Sequence, residues 1–124
     1  MLEERMLEQK TWAVVGVNKD HSRYGNMIYH KLKRHGYTVF AVNPRHDQVD
    51  GDVCYPSLRD LPQKPDVVNV VVGPARTLDL LEEAASLGIR YIWLQPGTYD
   101  DKVMARVLDL GLLSVHACVL VAVR

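Results

Sequence analysis

The residues able to do chemistry fall into short loops rather than one dense motif. The first loop runs Gly16-Val17-Asn18-Lys19-Asp20-His21-Ser22-Arg23-Tyr24-Gly25-Asn26. Glycines stand at its two ends, and Ser22 and Arg23 add a hydroxyl and a cation between them. Where Gly25 opens a helix, free backbone N–H groups and the helix dipole offer a place for a phosphate. The spacing is not GxGxxG, and the same residues also suit an ordinary polar turn.

The second loop is Val42-Asn43-Pro44-Arg45-His46. An NAD-binding domain tends to carry Asp or Glu here, to hold the ribose hydroxyls. In this chain no carboxylate follows until Asp47. A basic residue suits a phosphate on the ribose instead, as in NADP or coenzyme A. The alternative is that Asn43-Pro44 is a rigid turn and Arg45 a solvated side chain.

Other chemistries lack their spacing. Cys54 and Cys118 form no CxxC pair, and His21, His30, His35, His46 and His116 show no metal-ligand pattern. No metal is expected. His21 and His46, in site loops, are the histidines placed for phosphate contact. GxSxG is absent, and Ser22, Ser57, Ser86 and Ser114 lack the setting of an activated nucleophile. Cys118 reads as a small buried hydrophobe or, alternatively, as a reactive thiol. Cys54 is expected to be exposed in a long loop. Asp100 and Asp101 read as helix caps, and Glu82-Glu83 as an exposed helix face.

These loops need elements to hold them, and the hydrophobic pattern supplies the elements. Apolar runs at Thr11–Val17, Tyr37–Val42, Asp66–Val72, Ile89–Leu94 and Leu112–His116 read as strands. Helical periodicity covers residues 1–9, 25–35, 75–87 and 101–110. Leu2, Met6 and Leu7, then Ile28 and Leu32, then Leu78, Leu81 and Ala85, and finally Met104, Val107 and Leu108 are expected to face inward. Gly36, Gly88 and Gly111 each stop a helix and lead directly into a strand. Near-continuous apolar strands are buried on both faces, as in a parallel sheet covered by helices. The pattern predicts a Rossmann-like, doubly wound, three-layer α/β fold of about five strands in one domain, 1–124. The second crossover, between Val42 and Asp66, is interrupted by Pro44, Gly51, Pro56, Pro62 and Pro65. It is expected to be mostly loop, with at most one helical turn at Ser57–Leu61. Trp12 and Trp93 read as core or interface, and the Val-rich end as an edge strand or the face of a homodimer.

A length of 124 residues suits one domain. Fifteen basic and fifteen acidic residues give a formal net charge of +0, which disfavours general nucleic-acid binding. No run approaches the roughly 20 apolar residues of a membrane span. Two distant cysteines and a charged N-terminal stretch suit a cytoplasmic protein.

Taken together, Ala13-Val14-Val15-Gly16, the loop to Arg23, His35-Gly36-Tyr37, Val42-Asn43-Pro44, Cys54-Tyr55-Pro56-Ser57, Pro65-Asp66 and Trp93-Leu94-Gln95-Pro96-Gly97 carry a resemblance. The chain resembles the single-domain coenzyme A-binding proteins of Rossmann type, a fold shared with the nucleotide-binding domain of the succinyl-CoA synthetase α subunit. The resemblance covers about residues 5–118. It implies a coenzyme A or acyl-CoA ligand. By the resemblance, Gly16, Val17, Asn18, Ser22, Arg23, Tyr24 and Gly25 hold the pyrophosphate. Val42 and Pro44 flank the adenine, with Asn43 and Arg45 near the ribose and its phosphate. Val72, Gly73 and Pro74 line the other side, and Gln95, Pro96 and Gly97 border the pantetheine path. The chain departs from many relatives at Tyr24, where they read Pro, and at Gly73-Pro74, where they read Arg or Lys with Pro. It also departs at His116-Ala117-Cys118 and the Val119–Val123 stretch after it, where many carry Asp-Arg-Cys followed by a charged helix. With no catalytic constellation, the reading is a binding, carrier or regulatory module. An NADP-binding reductase module and an interaction module with a vestigial pocket are the alternatives.

Overall fold

Apolar strands alternating with amphipathic helices produce a single sheet of seven strands with helices on both faces. The computed structural model describes residues 1–124. Helix α1 (Leu2–Leu7) precedes β1 (Thr11–Val15), α2 (Tyr24–Arg34) and β2 (Thr38–Val42). The short strands β3 (Gln48–Val49) and β4 (Asp52–Tyr55) and a 3-10 turn (Leu58–Asp60) follow. The chain continues as β5 (Val67–Val70), α3 (Pro74–Ser86), β6 (Tyr91–Leu94), α4 (Asp101–Asp109), β7 (Leu113–His116) and α5 (Val119–Ala122).

The strand order is β3-β4-β2-β1-β5-β6-β7. Every neighbouring pair is parallel except β3 with β4. Strand β1 is central, paired to β2 on one side (Val15 opposite Val42) and β5 on the other (Val15 opposite Val70). The chain leaves β1 toward β2 and later returns to β5. The order therefore reverses at β1, and a crevice opens beyond the carboxyl ends of β1 and β5.

Alternation along the strands builds two cores. Trp12, Val14, Val67 and Trp93 meet Ile28, Tyr29 and Leu32 of α2, Met6 of α1, and Val119 and Val123 at the C-terminus. Ala13, Val68, Val70, Ile92 and Leu94 meet Leu80, Leu81 and Ala84 of α3 and Val103 and Val107 of α4. The two tryptophans are fully buried, their rings 5.6 Å apart, and each indole N–H reaches a backbone carbonyl. A buried indole needs such a partner. Gly36, Gly88 and Gly111 take φ of +88°, +78° and +69°, the left-handed stop expected from their positions. Asp100 caps α4, its Oδ1 accepting from the Val103 N–H at 2.9 Å.

Four expectations need correction. The second crossover holds a β-hairpin, β3–β4, so the sheet has seven strands and not about five. The Val-rich end is not an edge strand; it folds into α5 and buries Val119 and Val123. Leu108 points outward, at 78% exposure, because α4 packs through Val103 and Val107. Cys54 is buried, its thiol 3.6 Å from the Asn43 carbonyl oxygen, because β4 joins the sheet beside β2. No helix is long and apolar enough to cross a membrane.

Candidate functional site

Two glycines set the geometry at the crevice. Gly16 leaves β1 with φ +106°, and a Cβ on it would lie 2.8 Å from the Val71 carbonyl oxygen. A Cβ on Gly25 would lie 2.2 Å from the Gly16 carbonyl oxygen. A side chain at either position would collide with backbone, so only glycine lets the start of α2 rest on the end of β1. Helix α2 has no side-chain cap and no acidic residue in its first turn. The backbone N–H groups of Tyr24, Gly25 and Asn26 consequently remain as donors at the positive end of the helix dipole.

The loop before α2 is ordered by its own polar side chains. Asn18 Oδ1 accepts from the Asp20 N–H at 2.8 Å, and Asp20 Oδ1 accepts from both the N–H and the hydroxyl of Ser22. Those bonds hold the Asp20 carboxyl below its usual range. Arg23 lies 3.7 Å from Asp20 on the surface. Farther out, Asp50 at the tip of the β3–β4 hairpin accepts from His21 (2.8 Å), His30 (2.6 Å) and Asn26 (3.1 Å). The hydrogen bond to His21, with those to His30 and Asn26, holds the Asp50 carboxyl far below the ordinary range, and the same bond raises the His21 imidazole. His21 is thus engaged by the hairpin.

On the α3 face the crevice widens into a cavity of about 330 Å³. Gly16, Val42, Asn43, Pro44 and Val72 form one part of its wall, with Val15, Pro56, Ser57 and Leu80. Asn43 is committed to building this wall. Its Nδ2 donates to the Val17 carbonyl at 2.8 Å, and its Oδ1 accepts from the Arg45 N–H at 2.9 Å. Four charged residues complete the lining: Arg59, Arg76, Asp79 and Glu83. Glu83 binds the Arg59 guanidinium at 3.0 Å and the Leu58 N–H at 3.3 Å, so it is not simply an exposed helix residue. Arg76 has no carboxylate partner within 4 Å. Arg45 does not line this cavity.

On the α2 face a second cavity of about 260 Å³ is lined by Tyr24, Val71, Gln95, Pro96 and Cys118, none of them a cation or a carboxylate. Gln95 is 4% exposed. Its Oε1 accepts from the Val119 N–H at 2.8 Å and from Asn69 Nδ2 at 3.2 Å. The turn Gln95–Thr98, with Gly97 at φ +85°, is closed by the Thr98 N–H and hydroxyl on the Gln95 carbonyl. Gly73 and Pro74 form the N-cap and first residue of α3, between the crevice and the first cavity.

The predicted residues are therefore divided among three places. Gly16, Val42, Asn43, Pro44 and Val72 meet in the first cavity, and Tyr24, Gln95 and Pro96 in the second. Val17, Asn18, Ser22, Arg23, Gly25 and Gly73 belong to the loops and helix ends between. Sequence reasoning missed Arg59, Arg76, Asp79 and Glu83. Three of them carried a signal: positions 76, 79, 80 and 83 recur at helical spacing along one face of α3.

No metal-binding group of three or more His, Cys, Asp or Glu side chains is present. An elongated ligand with a charged nucleotide end and an uncharged tail fits this arrangement. One cavity offers charge, the uncapped helix offers N–H donors, and the other cavity offers an apolar wall with an amide.

Comparison with known proteins agrees. Residues 10–124 match the family model described as a CoA binding domain. A stretch of 73 residues, 59% of this chain, is 37% identical to acetate–CoA ligase [ADP-forming] I of Archaeoglobus fulgidus, but spans only 10% of that protein. A solved structure of a hypothetical protein from Pyrococcus horikoshii is 33% identical, with a TM-score of 0.90 over 98% of this chain and 86% of that one. A Thermus thermophilus structure is 29% identical, with a TM-score of 0.87 over 98% and 96% of the two chains. With a family model matching all but the first nine residues, this chain belongs to the coenzyme A-binding domain family.

Proposed function

We propose that this chain binds coenzyme A or an acyl-CoA as a small carrier or regulatory module, without catalysing a reaction of its own. The observation that carries this reading is the pair of unlike cavities on opposite faces of the sheet, whose linings reach the adjacent residues Val71 and Val72. A mononucleotide needs only one of them. In this reading Val42 and Pro44 pack on the adenine and Arg76 meets the ribose phosphate. The N–H groups of Tyr24, Gly25 and Asn26 take the diphosphate, and the pantetheine crosses to the Gln95 side. Arg76 replaces Arg45 as the cation for the ribose phosphate, since Arg76 lines the cavity without a carboxylate partner, Arg59 is paired with Glu83, and Arg45 does not line the cavity.

A thermal-shift titration tests the reading, with coenzyme A, 3′-dephospho-CoA, NADP and NAD. A ligand at 100 times its Kd adds about 2.7 kcal/mol, roughly 10 °C for a domain of this size. The reading expects such a shift with coenzyme A and a smaller one with 3′-dephospho-CoA. A shift with NADP alone points to the reductase module, and no shift with any of the four to an interaction module with a vestigial pocket.

A further inference from the structure

The second cavity holds more than a path for a tail. Cys118 is one of its five lining residues and is half-buried there. Its neighbours fix it in place. The Ala117 N–H donates to the Leu94 carbonyl at 3.3 Å, and the Ala117 carbonyl accepts from the Trp93 indole at 2.9 Å. On the other side the Val119 N–H is held by Gln95. The thiol is thus presented by a rigid segment and not by a frayed end.

Gln95 points independently to a ligand. The side chain is more than nine-tenths buried and lines the cavity. Its Oε1 is turned back to Val119 and Asn69, which leaves Nε2 without a protein partner. An amide donor left unpaired by the protein at a cavity wall is free to meet a ligand acceptor. An amide carbonyl within a hydrogen bond of Gln95 brings the chain beyond it past Tyr24 and Cys118. The other cysteine is unlike this one. Cys54 is buried in the sheet, and burial pushes its thiol up, away from the reactive thiolate.

Resting on the reading above, we propose that Cys118 is a covalent capture site for the thiol end of the ligand, through thiol–disulfide exchange with a coenzyme A disulfide. The Cys118 thiolate attacks one sulfur of the ligand's S–S bond. That bond breaks, a Cys118–coenzyme A mixed disulfide forms, and the second coenzyme A leaves as a thiolate that takes up the proton Cys118 lost. Electrons balance with the disulfide itself as oxidant. Gln95 is a positioning residue, bonded to the ligand's amide.

The test is intact-mass spectrometry of the whole chain incubated with coenzyme A disulfide, and in parallel with glutathione disulfide. The expected result is one added coenzyme A at Cys118, formed at least tenfold faster than the glutathione adduct and slowed by excess desulfo-CoA. The Cys118→Ser variant should show no adduct. Equal rates with both disulfides, or an adduct on Cys54, would overturn the proposal. So would the absence of an adduct in a protein that binds reduced coenzyme A, and this outcome leaves the binding reading intact. Absence of both adduct and reduced coenzyme A binding sinks the two together.

Discussion

The two cavities flank the same strand ends yet are built from opposite materials. The α3-face cavity is lined by two cations, two carboxylates and the rigid Asn43-Pro44 turn. The α2-face cavity has no charged side chain, one buried amide and one thiol. On the proposed reading, the first would select by charge and shape, the second by length and by what the far end carries. The difference follows from the helices. Helix α3 turns a stripe of Arg76, Asp79 and Glu83 toward the crevice, whereas α2 brings only Tyr24 and its bare N-terminus. A fold that needs apolar packing on both faces can still line its two crevices differently, because Arg76, Asp79 and Glu83 lie beside, and not among, the residues of α3 that pack on the sheet.

The sharpest break in that comparison is at the joint between the cavities. Gly25→Ala places a Cβ against the Gly16 carbonyl and forces α2 away from β1. It should destabilise the fold by about 2–3 kcal/mol in denaturant titrations and lower coenzyme A affinity at least a hundredfold. Gly36→Ala is the control. Its φ is also positive, but nothing lies within 4 Å. It should cost about 1 kcal/mol of stability and leave affinity unchanged.

Arg76→Glu should act on the charged cavity alone. Loss of one charge-assisted contact, about 1.5–3 kcal/mol, predicts a weakening of ten- to a hundredfold for coenzyme A. The preference over 3′-dephospho-CoA should vanish in the same calorimetric series. Gln95→Leu should act on the uncharged cavity. It strips the Val119 N–H and Asn69 Nδ2 of their acceptor, at a cost of about 2 kcal/mol in stability. It should also weaken coenzyme A several-fold while leaving 3′-phospho-ADP binding unchanged.

The smallest effect is expected at the Asp50 clamp, which holds the loop between the cavities. The His21 imidazole is raised above its ordinary 6.5 by its bond to Asp50. Its contribution is therefore complete below pH 6.5 and fades as pH rises through the raised value. The Asp50 carboxyl is lowered from 3.8, so its contribution holds above that pH and fades as acid reaches the lowered value. Melting temperature should fall slightly between pH 6.5 and 9 in the native protein, and that slope should flatten in His21→Gln.

Much of this arrangement was legible in the sequence, and the gaps have physical causes. The strands β1, β2, β5, β6 and β7 were readable from their apolar runs, which are unbroken where burial on both faces demands it, as in β1 and β6, and the helix stops from Gly36, Gly88 and Gly111. The β3–β4 hairpin was missed because prolines around it suggested a loop. Its signal was present in Asp50-Gly51, a two-residue turn with φ of +52° and +86° between short strands. On α3, Leu81 is buried and Leu78 and Ala85 pack partly buried against the core, as the spacing predicts, but the inward face also takes in Thr77, Leu80 and Ala84, and Arg76 and Glu83 line the cavity beside it. Leu108 was misread because α4 needs only Val103 and Val107 to cover its part of the sheet. Sequence alone left Cys118 open between a buried hydrophobe and a reactive thiol, because its placement depends on contacts that Leu94, Trp93 and Gln95 make with Ala117 and Val119, more than twenty residues away in sequence.

The central claim is that one ligand occupies both cavities across the ends of β1 and β5. Calorimetric titration with coenzyme A and with 3′-phospho-ADP, which lacks the pantetheine arm, tests it most directly. The account predicts that coenzyme A binds at least tenfold more tightly, and that Cys118→Phe, which fills the second cavity, erases the difference without weakening 3′-phospho-ADP. Equal affinities for the two ligands in the native chain would contradict it.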